Sequence, residues 1–340
     1  MKKTLNFMII FFIFFELTSI LFTNLGLFIF NEKPKYSYEK KFLHDWIEYD
    51  EDGIVWHKKN YKTRHVSRCF DVEYETNNVG ARDYNDYFKS EKINSIMLIG
   101  DSYVEGPGVE IDKTFAKILE REINKKVLNF GNSGTNPKTQ LIRYLKYNKD
   151  YNFDNLIYFF LPYNDYSSPN DVNNTKKTEP VNNFDLINFG ILKYRIVDFL
   201  ARFTYSYNFI RSVSYSIDIN FDYGYQNLSY FYDNKKNIDY TFDFLEKIIS
   251  SKKVSAFVVI IPTIYDINNF QKNKINYKEF YWYKTLVNLL DKNNSTLIDL
   301  MDYIEFDKKA LYFHSCDGHW SDYGNSFAAN IFLKYYNNVR

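Results

Sequence analysis

The chain has 340 residues, with 43 Lys and Arg against 42 Asp and Glu, for a net charge of +1. That length buries a full core in one large domain, or in one domain with a sizeable insertion. So neutral a balance carries no electrostatic footprint for nucleic acid, which is therefore not expected as a partner.

Lys2 and Lys3 precede a mostly apolar stretch from Leu5 to about Phe30, long enough to cross a bilayer core of ~30 Å as a helix. No small-x-small cleavage site follows it, so residues 1–30 read as a retained transmembrane anchor rather than a removed signal peptide. The two lysines would stay cytoplasmic, sending the remainder to the periplasmic or extracellular side. Glu16, near the middle, costs roughly 2.5–3.5 kcal/mol there on insertion scales. A protonated carboxyl, a partner on another membrane helix or a water-facing kink would each accommodate it.

Residues 31–90 are polar, aromatic and irregular, with a glycine turn in "NNVGARD" (77–83), and read as an N-terminal extension packing on a catalytic domain at 91–340. From there strands and helices alternate. "SIMLIG" (95–100) is a short apolar run, followed by an amphipathic stretch at 113–124. "KVLNFG" (126–131) is the next strand, and a helix at 138–148 has Pro137 at its start. "NLIYFFLP" (155–162) is a third buried strand. Residues 166–240 are rich in Asn, Asp and Tyr, with one helical stretch at about 190–213, and read as an insertion or lid. Order resumes with a helix at 241–251, the strand "SAFVVIIPT" (255–263), a helix near 276–291 and the strand "STLIDL" (295–300). A loop, "YFHSCDGHWSDYG" (312–324), leads into a last helix at about 325–336. Continuous apolar strands separated by helices predict a parallel sheet covered on both faces.

Two features cut across this order. Cys69 and Cys316 form one disulfide if the globular part lies in an oxidising compartment; two free thiols are the other reading. The 32 Tyr and 32 Phe read either as stacking platforms for sugars or, since Asn, Lys and Ile are also enriched, as codon bias, the simpler explanation.

In an open α/β sheet, ligands bind beyond the carboxyl ends of the strands, and four polar signals fall there or in the last loop. Gly100-Asp101-Ser102 follows the first strand. A serine hydroxyl there is a nucleophile once a base takes its proton, or merely the cap of a helix. "NFGNSGTNP" (129–137) holds Gly134, whose N–H can approach an oxyanion because no side chain intervenes. Asn164-Asp165 follows the third strand, and the Asn amide can donate to developing negative charge. In "CDGHWSDYGN" (316–325), Asp317 and His319 are two residues apart. The imidazole could take the Ser102 proton while Asp317 holds its tautomer. His44, His57, His65 and His314 receive no role, and no ligand cluster for a metal surrounds Asp317 and His319.

These four blocks, over roughly 77–336, resemble the SGNH/GDSL hydrolases, a family of esterases, lipases and polysaccharide deacetylases or acetyltransferases. The resemblance implies a flavodoxin-like three-layer α/β/α fold with a five-stranded parallel sheet, interrupted after strand three by the 166–240 insertion. It implies a triad of Ser102, His319 and Asp317, and an oxyanion hole from the Ser102 and Gly134 N–H groups and the Asn164 amide. Asp101, Asp165 and Trp320 would support these groups. Tyr103 stands where the family commonly has Leu, and Asp317-Gly318-His319 is tighter than the commoner Asp-x-x-His. The Asp-x-His-Trp form looks like members tied to bacterial cell-surface polysaccharides, including proteins of alginate acetylation.

The leading expectation is a serine esterase for O-acyl, chiefly acetyl, esters of carbohydrates or small molecules, needing no cofactor. An O-acyltransferase modifying a surface glycan would use the same residues. A non-catalytic glycan-binding or assembly protein is the third reading; the intact Ser102, Asp317 and His319 set speaks against it.

Overall fold

A computed structural model describes residues 2–25, 46–50, 53–66, 70–89, 95–166, 199–200, 203–207, 209–210, 229–251, 254–314 and 318–339. Cys69, Cys316, Asp317 and most of the expected 166–240 insertion lie outside the described residues. The chain divides into two compact units. One comprises Met1–His44, His65–Asp71 and Thr178–Phe221; the other comprises Asp45–Arg64, Val72–Lys177 and Asp222–Arg340.

The first unit is dominated by helix α1, Lys2–Asn24. A membrane span is expected over 1–30; among the described residues, no helix is long and apolar enough to cross a membrane, and residues 26–30 lie outside them. The unbroken apolar run of α1 is Phe7–Phe15, about 14 Å of helix. Glu16 then interrupts it, and the Thr18 and Ser19 hydroxyls turn back onto the Phe14 and Phe15 carbonyls at 2.8 Å. The Glu16 carboxylate accepts the backbone N–H groups of Tyr205 and Ser206, within the same unit. Phe15 packs edge-on to Phe209, with ring centroids 6.1 Å apart.

Two short two-stranded ribbons come first in the rest of the chain: β1 (Ile47–Tyr49) antiparallel to β2 (Val55–His57), and β3 (Lys62–Val66) with β4 (Asp71–Glu75). The central sheet of the second unit follows, built from β5 (Ser95–Gly100), β6 (Val127–Gly131), β7 (Phe153–Phe160), β8 (Ser255–Ile260) and β9 (Thr296–Asp299). Its order is β6-β5-β7-β8-β9, and every neighbouring pair is parallel. All residues of β5 and β6 are buried, as strands covered by helices on both faces must be.

Those helices are α2 (Ser102–Glu105), α3 (Phe115–Ile123), α4 (Pro137–Tyr147), α5 (Pro162–Asp165), α6 (Lys235–Ile249), α7 (Ile264–Asn273), α8 (Tyr281–Lys292), α9 (Lys309–Tyr312) and α10 (Asp322–Val339). Successive residues of a strand point to opposite faces, so Phe159 and Phe160 sort the layers. Phe159 meets Phe115 of α3, which in turn meets Phe332 of α10. Phe160 meets Phe242 of α6 and Trp282 of α8. The result is the expected three layers. Helix starts follow local chemistry: Thr114 accepts the Lys117 N–H at the head of α3, and Asn136 and Thr139 form a reciprocal capping box around Pro137 at the head of α4. The sequence reading passed over α7, which begins with a second such box between Thr263 and Asp266; the helix expected near 276–291 is α8.

The chain leaves β5 toward β6 on one side, then returns to β7 on the other. This is the switch point at which parallel α/β sheets open a crevice. The packing there leaves no room at Gly131: a Cβ would lie 2.4 Å from the Glu105 backbone nitrogen and 2.5 Å from the Val104 Cβ. Gly131→Ala is expected to cost about 1–3 kcal/mol of stability through overpacking, read as a lower urea midpoint for the full chain.

Candidate active site

Gly100 ends β5, and a Cβ on it would lie 2.6 Å from Val104 Cγ2 and 3.0 Å from Phe159 Cβ. Its missing side chain lets α2 begin at once. Asp101 caps that helix, its Oδ1 accepting the Tyr103 N–H at 3.0 Å. Ser102 therefore opens α2 at the carboxyl end of β5, with 5% of its surface exposed. Across the switch point, α5 follows β7 directly, and the Asn164 side-chain amide donates to Asp101 Oδ2 at 3.3 Å. The Ser102 and Asn164 segments are thus tied together through Asp101.

The tail reaches the same place. An isolated bridge pairs Phe313 with Trp320, and the His314 N–H donates to the His319 carbonyl at 2.7 Å, closing the loop. The Tyr103 hydroxyl donates to the Gly318 carbonyl at 3.0 Å. The Tyr103 ring lies 5.6 Å from the His319 ring and 4.9 Å from Trp320, centroid to centroid, and Trp320 also packs on Phe159. His319 is therefore against the residue that follows Ser102. Asp317, expected to orient it, is outside the described residues.

Gly134 lies in the turn after β6 with φ +72°, and nothing lies within 4 Å of where its Cβ would be. This left-handed backbone favours glycine. The turn is anchored to β5 by the Asn132 N–H, which donates to the Gly100 carbonyl at 3.2 Å.

Burial pushes the Asp101 carboxyl up to about 6, against the pull of the Tyr103 N–H, His319 and Asn164. Asp165 is wholly buried too; it accepts the Leu161 N–H at 2.7 Å and the Gln140 amide at 3.4 Å. Burial, with the Asp101 charge beside it, pushes its carboxyl well above the usual range. Among the described residues, no group of three or more His, Cys, Asp or Glu side chains could hold a metal ion.

Sequence reasoning passed over a third buried acid. Glu105, in the first turn of α2 and 2% exposed, accepts the Tyr74 hydroxyl at 2.6 Å and the Ser133 N–H at 2.6 Å. His57 Nε2 lies 3.5 Å from it. His57, given no role from the sequence, is 1% exposed and holds the Gly80 carbonyl through Nδ1 at 2.9 Å. Burial alone would raise the Glu105 carboxyl, but His57, the Ser133 N–H and Tyr74 hold it well below the usual carboxylate range. The Arg82 guanidinium donates to the Glu105 and Gly106 carbonyls and lies 4.8 Å from the Tyr74 ring centre. The available signal was "VEGPG" itself, an acid pinned between a buried strand end and a left-handed Gly106.

Residues 54–155 match the family described as the SGNH hydrolase-like domain of acetyltransferase AlgX. No curated protein matches the chain. Among solved structures, a lipolytic G-D-S-L family protein from Veillonella parvula is 15% identical, with 71% of this chain and 96% of that one covered and a TM-score of 0.40. The lipase/acylhydrolase from Enterococcus faecalis is 14% identical, covering 72% and 95%, at 0.39. A family 3 carbohydrate esterase from Clostridium thermocellum is 14% identical, covering 73% and 97%, at 0.38.

A carboxyl whose folded-state pKa is raised keeps its proton while the unfolded chain loses one, so folding weakens as pH rises from the unfolded value near 3.8 to about 6. Asp101→Asn removes that dependence. The stability of the wild type relative to this variant is expected to fall by roughly 2 kcal/mol between pH 4 and pH 7, measured by urea unfolding at each pH.

Proposed function

We propose that the chain, whose residues 54–155 match an SGNH hydrolase-like domain, is a serine-dependent esterase of the SGNH/GDSL type acting on O-acyl, chiefly acetyl, esters of carbohydrates. The observation that carries this is the packing of the His319 loop on Tyr103, next to Ser102. His319 takes the Ser102 proton as Oγ attacks the ester carbonyl. The Ser102 and Gly134 N–H groups and the Asn164 amide hold the resulting oxyanion. The tetrahedral intermediate expels the alcohol, which receives the proton from the imidazolium, and an acyl-serine remains. Water, deprotonated by His319, then releases the acid and restores the hydroxyl. Asp317 keeps the imidazole in the tautomer this sequence needs.

A second reading is acyl transfer, in which a sugar hydroxyl replaces that water. The match over 54–155 to a domain named for an acetyltransferase favours it. Either reading suits a ring-shaped substrate. Tyr163, beside Asn164 and 52% exposed, lies nearly parallel to Tyr265 at 15°, with centroids 6.2 Å apart. At van der Waals separation those rings are offset by about 5 Å, a stepped aromatic surface suited to the apolar face of a pyranose.

Ser102→Ala is expected to lower p-nitrophenyl acetate hydrolysis by about 10³-fold or more; equal rates would overturn the nucleophile assignment. Offering an unacetylated oligosaccharide as acceptor separates the readings, since label retained on the sugar marks transfer and label released as acetate marks hydrolysis. Tyr163→Ala is expected to raise KM for an acetylated oligosaccharide roughly 3–10-fold more than for p-nitrophenyl acetate. A proportional change in both would remove the sugar platform.

A further inference from the structure

We infer that Glu105 is a positioning residue for the Asn132–Thr135 turn: its carboxylate, fixed by Tyr74 and His57, takes the Ser133 N–H and so sets the backbone that presents Gly134. The inference rests on the reading of Gly134 as an oxyanion donor, and it adds a role for the N-terminal ribbons that the reaction scheme leaves unused.

The turn is held by hydrogen bonds more than by packing. Gly134 sits at φ +72° with open space where a side chain would project, so side-chain contacts at that residue do not fix it. Its neighbours are tied by the Asn132 N–H to the Gly100 carbonyl, the Asn132 amide to the Val55 carbonyl at 2.5 Å, the Thr135 hydroxyl to the Asn132 carbonyl at 2.6 Å, and the Ser133 N–H to Glu105. The last is the charge-assisted bond of the four, and such bonds are roughly twice as strong as neutral ones. Ser133 directly precedes Gly134.

Glu105 is itself over-determined. Tyr74 is fully buried, and its hydroxyl fills Oε1; Oε2 is shared by the Ser133 N–H and His57. A carboxylate buried to 2% exposure without such donors would be strongly destabilising. Tyr74 comes from β4 and His57 from β2, so two elements preceding the sheet reach the oxyanion turn through one side chain. His57 is locked in turn by the Gly80 carbonyl, and Trp56 beside it by a bond from its indole N–H to the Val79 carbonyl at 2.8 Å.

The test compares the full-length wild type with Glu105→Ala, Glu105→Gln and Tyr74→Phe. Turnover of p-nitrophenyl acetate is divided by the number of Ser102 sites titrated with a fluorophosphonate, so that unfolded protein drops out. Amide exchange of segment 131–136 is followed by mass spectrometry, independently of any reaction. Glu105→Ala is expected to lower kcat per site about 10–100-fold with KM within about 3-fold, and to speed exchange at 131–136. Glu105→Gln keeps an acceptor for the Ser133 N–H and is expected to recover most of both. Tyr74→Phe, the milder change, is expected to move both in the same direction by less. Unchanged exchange at 131–136 in Glu105→Ala, or in Tyr74→Phe should the first not fold, overturns the inference, as does an unchanged kcat per site. Failure of the esterase reading looks different: Ser102→Ala then matches the wild type, while the exchange result still decides the role of Glu105.

Discussion

A carboxylate with no solvent exposure stands at the head of α2, where β5 ends, and the site is built around meeting its need for donors. Asp101 has one backbone N–H from its own helix and one amide from across the sheet. Neither alone offsets removing a charge from water, which costs several kcal/mol per ion. Asn164 can reach it only because α5 begins immediately after β7, and β7 lies beside β5 only because the chain has crossed to the other side of the sheet. The topological reversal and the hydrogen bond are thus two views of one constraint.

The C-terminal loop answers to the same position. Tyr103 follows Ser102 and carries both a hydroxyl for the Gly318 carbonyl and a ring for His319 and Trp320. Trp320 rests on Phe159, which belongs to the layer formed with α3 and α10. The loop that carries the imidazole is therefore seated on core aromatics. That rigidity matters to any proton transfer, because a misplacement of about 1 Å can cost 10²-fold in rate.

Much of this was legible in the sequence, for identifiable reasons. β5 through β9 are short apolar runs with a helix between each pair, and a period-based reading finds such strands to within three residues of their ends. Gly100, Ser102, Gly134 and Asn164 stood out because each follows such a run, where glycine and polar residues break it. An averaged apolar stretch also conceals where Glu16 falls within α1, which ends at Asn24. Helix α7 was missed because Ile264–Asn273 is polar on most of its faces and its start is signalled only by the Thr263 and Asp266 box. His57, Tyr74 and Glu105 could not be joined by any spacing rule. They come together through packing of ribbon strands only 3–5 residues long, across separations of 31 and 17 residues.

The contrast between Asp101 and Glu105 shows why sequence cannot tell a structural acid from a reactive one. They sit four residues apart at opposite ends of one short helix, and both are buried almost completely. Burial alone should raise both, yet one is pushed up to about 6 and the other is held well below the usual range. The difference lies in their neighbours. Glu105 has His57, a hydroxyl and an N–H, each directed at it within 3.5 Å. Asp101 has weaker donors and faces the like charge of Glu105. Glu105 is consequently a fixed charge, suited to holding a turn in place. Asp101, pushed up to about 6 by burial, is not held as a fixed charge in the same way.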